Sequence, residues 1–225
     1  MIMRKFAGLR SWMKPHTTVP TLPWTATNTW DLSIKRFSIL SIGLILFGIG
    51  ESFLIVSNIG NSPWTVLSEG VSNQFDISIG VATFIVSIGV LLLWIPLREK
   101  PGFGTLLNIL LIAVAIDLGL LLIPEVDIFF VEFLYVLIGI ALVGVGSALY
   151  ITCGLGPGPR DGWMTSLHRR TGIPVGRVRL LIEVLVLISG WLLGGTVGLG
   201  TALFALLIGQ SVAISFGVVA RITKQ

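Results

Sequence analysis

Charge is what this sequence most lacks. Of its 225 residues only 12% are Asp, Glu, Lys or Arg, while 54% are hydrophobic. A soluble domain carries about 25% charged residues. So little polar surface cannot cover a globule in water, so lipid must be the solvent for most of the chain. The class is a polytopic membrane protein with one membrane domain. Cysteine is nearly absent too. Cys153 stands alone, which excludes an intrachain disulfide and a thiolate metal cluster. The only histidines, His16 and His168, lie far apart in sequence. Metal ligation needs more donors than that, so neither metal nor cofactor is expected. No nucleophile–base pair stands at a recognisable spacing, so an enzyme is not expected either. No apolar h-region follows the N-terminal charges, which argues against a cleavable signal peptide.

What the chain has is long apolar runs. Six of them, about 18 to 23 residues each, suffice to cross about 30 Å of hydrocarbon as helix. They lie near residues 37–57, 78–97, 103–123, 131–153, 174–193 and 199–219. Residues 1–36 form a basic N-terminal tail and linker. Its first part, with Arg4, Lys5, Arg10 and Lys14 among apolar residues, reads either as an interfacial amphipathic helix or as a disordered tail. The stretch to Trp30, with Pro15, Pro20 and Pro23, reads as a linker. Residues 37–220 form the membrane domain.

The 15 Lys and Arg residues are confined to alternate segments: before the first run, between runs two and three, between or beside runs four and five, and after run six. The other three connections carry no Lys or Arg, and two of them carry acids instead, Glu69 and Asp76, then Glu125 and Asp127. The net charge of +4 therefore reads as topology rather than nucleic-acid binding. Basic segments stay in the cytoplasm, which places both termini there, beside anionic lipids of the cytoplasmic face.

The sequence also repeats itself. Shifted by 96 residues it aligns without a gap, and seven glycines fall on glycines: Gly43 on Gly139, Gly48 on Gly144, Gly50 on Gly146, Gly60 on Gly156, Gly80 on Gly176, Gly102 on Gly198 and Gly104 on Gly200. Pro63 falls on Pro159 and Thr105 on Thr201. The copies span about 37–124 and 133–220. Each holds three runs, and an odd number inverts the second copy relative to the first. The expected fold is therefore all-α: six transmembrane helices as two inverted three-helix repeats, each with a short interfacial helix. Such repeats are typical of secondary transporters, with the site between the halves; a merely stable bundle is the plainer reading.

Each copy is broken after its first run. In the first, Asn58-Ile59-Gly60-Asn61-Ser62-Pro63-Trp64 offers Ser62 as N-cap and Pro63 as first helical residue, with the short helix ending near Gly70. In the second, Gly154-Leu155-Gly156-Pro157-Gly158-Pro159-Arg160-Asp161-Gly162 starts a helix running towards Thr171. Asp161 then stands at the third position, either capping the helix or facing a ligand. Arg160 either meets lipid phosphate at the surface or, if the helix dips inward, makes an anion site with the helix N-terminus. The length of the fourth run favours an interfacial position with partial insertion.

Arg179 and Glu183 are four apart and share a helix face. They form either a packing ion pair or a functional site. Glu51 and Asp117 are further acids within apolar runs, suited to proton coupling or explained by a wet cavity or Ser/Thr hydrogen bonds. A cavity lined by Glu51, Asp117 and Glu183 would favour transport; a dry bundle would favour a scaffold. Gly190 and Gly194 form a small-xxx-small face for close helix approach.

On the breaks, the Arg179-x-x-x-Glu183 pair and Gly190-Trp191-Leu192-Leu193-Gly194-Gly195, the chain resembles the YczE/YyaS/YitT family of bacterial integral membrane proteins, its YczE-like branch in particular. The resemblance covers about residues 37–220 and implies a multi-spanning cytoplasmic-membrane protein without assigned catalytic residues. It also implies an accessory or export-related role, since one branch member is linked to secreted lipopeptide production. Two functions follow as expectations: passage of a small solute or ion, or a non-transporting accessory that supports another system. A homodimer is a further possibility.

Overall fold

The computed structural model describes residues 18–223; the tail before them, with the proposed amphipathic helix and His16, lies outside. Among the described residues the chain is helical, with no strand. The helices are α1 (Ile34–Val56), α2 (Pro63–Phe75), α3 (Ile79–Leu92), α4 (Trp94–Leu97), α5 (Phe103–Leu122), α6 (Phe129–Thr152), α7 (Pro159–Thr171), α8 (Val175–Leu192) and α9 (Leu199–Ile222). Five segments are long and apolar enough to cross a membrane: α1, α3 with α4, α5, α6 and α9. The fifth expected run is α8, which carries Arg177, Arg179 and Glu183 within its 18 residues. Those charges keep it out of that set, and they mark it as the helix that faces something polar.

The core is the pairing of α1 with α6, with α5 against α1 and α9 against α6. Glycine makes the central pairing possible. A Cβ on Gly43 would stand 2.9 Å from the Gly146 carbonyl oxygen, and one on Gly50 2.8 Å from that of Gly139. These two approaches are the same approach displaced by 96 residues in each helix. With lipid as apolar as leucine, such close backbone packing replaces the hydrophobic drive that holds soluble helices together.

The breaks repeat as well. Asn58 and Gly154 are left-handed (φ 56° and 67°), as are Gly60 and Gly156 (φ 121° and 111°). These turns bring the start of the next helix back beside the helix just left. Gly200 N–H donates to Ile59 O at 2.8 Å, and Gly104 N–H to Leu155 O at 2.7 Å, so each break is pinned by the Gly-x-Gly-Thr that opens a helix of the other copy. Thr201 and Thr105 hydroxyls accept from the Gly198 and Gly102 amides at 3.2 and 3.1 Å.

Three local expectations are corrected. Ser62 sits at the N-cap of α2 but makes no capping bond; its hydroxyl goes to Glu51 instead. Gly70 does not end α2, which continues to Phe75 and stops on left-handed Asp76. Gly70 lies mid-helix because α8 passes too close for a side chain: a Cβ there would meet Gly190 O at 2.6 Å. Of the small pair, Gly190 on α8 packs against the Leu67 backbone, whereas Gly194 lies just past the end of α8 in a left-handed turn (φ 94°), where a Cβ would meet only Asn73 Nδ2, at 3.8 Å. The described part of the linker also packs rather than hanging free. Thr25 Oγ1 donates to Thr152 O at 2.8 Å and Ala26 N–H to Cys153 O at 2.8 Å, laying the segment over the second break.

Candidate functional site

The first turns of α2 and α7 face one cavity of about 300 Å³. Because each break doubles the chain back, α2 starts beside the body of α1, not beyond its end. The proof is Glu51, more than a turn before the end of α1: Ser62 Oγ and Thr65 Oγ1 donate to its Oε2 at 2.9 and 2.8 Å. In the second copy Tyr150 Oη donates to Asp161 Oδ2 at 2.6 Å, tying α7 to α6 in the same manner. Asp161 therefore bonds a tyrosine across the break.

Between the two breaks lies Arg160. Its guanidinium carbon stands 4.9 Å from the centroid of the Trp64 ring, so a cation of the second break stacks on an aromatic ring of the first. The backbone starts near the second break, but the side chain reaches inward to the partner break. The opposite charges of Arg160 and Glu51 act on each other across the cavity.

Arg179 Nε donates to Glu183 Oε1 at 2.8 Å, as the spacing predicts, and both line the same cavity. Thus Arg160, Asp161, Arg179, Glu183 and Glu51 converge on one space. Asp117 does not. Its carboxylate accepts from Ser78 Oγ at 2.7 Å and from Gly80 N–H at 2.8 Å, so it holds the start of α3. Gly80 permits this, since a Cβ there would collide with the Asp117 carboxyl. The expected binding role for Asp117 is therefore replaced by a capping one. Asn108, Ser147 and Ser87 add to the polar lining, and α9 contributes an apolar part, Phe204, Ile208, Val212 and Phe216.

Sequence reasoning missed Glu69. Its Oε2 accepts from Asn61 Nδ2 at 2.8 Å and from Thr196 N–H at 2.7 Å, and its Oε1 from Thr196 Oγ1 at 2.7 Å. One carboxylate thereby latches α2 and the first break to the α8–α9 connection. Its counterpart 96 residues on is Thr165, which bonds only within its own helix, to Asp161 O and Gly162 O. The two ends of the molecule differ accordingly. α2 lies closely along α8, while the corresponding α7 touches α3 over a shorter length. Likewise α3 packs along α5, but their counterparts α8 and α9 scarcely touch. Asp161 is exposed, and half of the Arg179 side chain is too. The cavity residues beside α7 thus reach the protein surface, while the Glu69 end is closely packed.

This is a multi-pass helical membrane protein with a charged internal cavity. The chain belongs to the family of unknown function DUF6198, whose model matches residues 34–216, and it is YczE-like. It is 42% identical over 204 residues to an uncharacterised protein of Haemophilus influenzae, covering 91% of this chain and 94% of that one. It is 32% identical over 180 residues to the uncharacterised membrane protein YczE of Bacillus subtilis, covering 78% and 83%. Identity to the uncharacterised protein YyaS of the same organism is 26% over 191 residues, covering 83% and 94%. No solved structure matches the chain.

Proposed function

We propose that this protein is a carrier that moves a small solute or ion across a bacterial inner membrane through the cavity between its two breaks. In this reading α8 also spans the membrane, as the fifth of six spans, the two copies are inverted repeats, and both termini are cytoplasmic. The observation that carries it is the convergence of Glu51, Arg160, Asp161, Arg179 and Glu183, drawn from both copies, on one cavity of about 300 Å³. Charged groups in a membrane are costly and persist where they meet substrate, ion or water. Backbone broken at membrane depth is tolerated where it is buried in protein or lines a cavity.

The recurring contacts support the inverted repeat, since the Gly43–Gly146 and Gly50–Gly139 approaches are two images of one contact. Alternate charging of the connections supports the orientation. The unequal ends support alternating access: one conformation of such a carrier is closed on one face and open on the other. In this reading the Glu69 latch holds one face closed, and the exposed Asp161 stands at the mouth on the basic face. No catalytic chemistry is needed by this reading.

Reconstitution into liposomes tests it. A panel of amino acids, organic acids and monovalent cations is offered, and wild type is compared with Glu183→Gln. Saturable uptake of at least one solute, slowed about tenfold or more in the variant, is the expected result. No flux of any of them with wild type, together with stable capture of one membrane partner, would instead establish the accessory role.

A further inference from the structure

The cavity's hydrogen-bonding groups are not all used. Among the described residues Arg160 donates to no acceptor and forms no close ion pair; its guanidinium is stacked on the Trp64 face. A guanidinium carries five N–H donors in a fixed fork that matches an oxyanion. Glu51 receives both of its hydroxyl bonds on Oε2, which leaves Oε1 unbonded. That oxygen is not among the buried atoms that lack a partner, so it reaches the cavity surface. Asp161 likewise has Oδ2 engaged by Tyr150 and Oδ1 unbonded. By contrast the charges of Arg179 and Glu183 balance one another across their Nε–Oε1 pair. Outside that pair the charged groups are therefore one fork of donors and two acceptor oxygens, one from each copy, in a cavity also lined by apolar Phe204, Ile208, Val212 and Phe216.

We propose that the occupant of this cavity is a small apolar zwitterion, an amino-acid-like molecule with an oxyanion and an ammonium group on a hydrocarbon remainder. Its oxyanion lies in the Arg160 fork, its ammonium faces Glu51 Oε1 and Asp161 Oδ1, and its apolar part rests on α9. The signs select it. A simple cation leaves the Arg160 donors without an acceptor. A simple anion faces two carboxylates with nothing to offer them, and buried groups left unpaired cost affinity. A zwitterion answers both. Size agrees, since a cavity of about 300 Å³ sits at the small end of ligand sites and holds no two-chain lipid.

The inference rests on the carrier reading but is tested apart from it, by equilibrium binding. L-Leucine, isocaproate (which lacks the ammonium) and isoamylamine (which lacks the carboxylate) are titrated calorimetrically into the full-length wild-type protein in detergent. Saturable leucine binding is expected, with both singly charged analogues at least about tenfold weaker. Arg160→Gln is expected to bring leucine down to the level of isoamylamine, with Arg160→Lys intermediate. Equal binding of isoamylamine and leucine would overturn the inference, and so would no leucine binding by folded wild type. Competition by phosphatidylethanolamine but not phosphatidylglycerol would overturn it in favour of a lipid headgroup. The analogue comparison uses wild type alone, so a variant that fails to fold does not blunt it. Leucine binding without leucine flux removes the carrier and keeps the site. Flux of another solute without zwitterion preference does the reverse.

Discussion

The Arg160 guanidinium carbon lies 4.9 Å above the Trp64 ring, and this one contact joins the two breaks of the chain. Neither residue has its like in the other copy: Trp64 aligns with Arg160 itself under the 96-residue shift. The repeat thus places these two residues at equivalent positions, and the fold brings the equivalent positions face to face. A self-complementary pair has become a cation and its aromatic partner.

Removing the ring should loosen that junction. Trp64→Leu is expected to lower the thermal midpoint in detergent clearly more than Trp64→Phe, because phenylalanine keeps a ring face. The cation–π part is worth about 0.5–2 kcal/mol. An equal drop for the two variants would assign the effect to lost packing alone.

The close passage of α2 and α8 predicts a contrast between glycines. Gly190→Ala puts a methyl into the Leu67 backbone and should cost about 1–3 kcal/mol. Gly89→Ala, where a Cβ meets nothing within 4 Å, should be neutral or stabilising by up to about 1 kcal/mol. Denaturant or thermal unfolding of the two purified variants decides.

At the breaks, backbone shape and space act together. Gly60→Ala and Gly156→Ala meet both a positive φ and a neighbouring Gly-x-Gly-Thr, with Thr201 Oγ1 and Thr105 Oγ1 each 2.8 Å from the new Cβ. Each should cost more than about 2 kcal/mol. Asn58→Gly, by comparison, should change stability by less than about 1 kcal/mol. Asn58 already holds φ 56° where its counterpart Gly154 holds 67°, and asparagine tolerates that region. Expression level and melting temperature report both outcomes.

Glu69 predicts a conformational effect. Gln at this position loses the charge from three hydrogen bonds, each worth about 1.5–3 kcal/mol when charge-assisted. In a Cys153→Ala background, a cysteine placed at Ser147 in the cavity wall should react with impermeant maleimide from the basic face. Glu69→Gln should add reactivity from the opposite face. Unchanged sidedness would show that the latch is only structural.

The sequence by itself determined the solvent, the helices and the repeat. Scarcity of charge requires lipid, and the apolar runs fell within a few residues of helices α1, α3 with α4, α5, α6, α8 and α9. The glycine register marked the positions of closest approach, because backbone contact leaves no room for substitution. It also marked the breaks, since left-handed turns need residues such as Gly and Asn. The Arg179–Glu183 pair was legible because helical spacing alone makes them neighbours. What only the tertiary structure decided was depth and partnership. A helix length says how far a run can reach, not that the chain turns back along it, so the meeting of Arg160 with Trp64 and of Glu51 with Thr65 could not be read from spacing. Asp117 and Glu51 look alike in sequence as lone acids in apolar runs. They part in the fold because one finds the amide of Gly80 and the other an open cavity. Glu69 looked like an ordinary loop-side acid until Thr196, 127 residues away, came to lie against it. Contacts across such distances depend on how helices pack, which composition and periodicity leave undetermined.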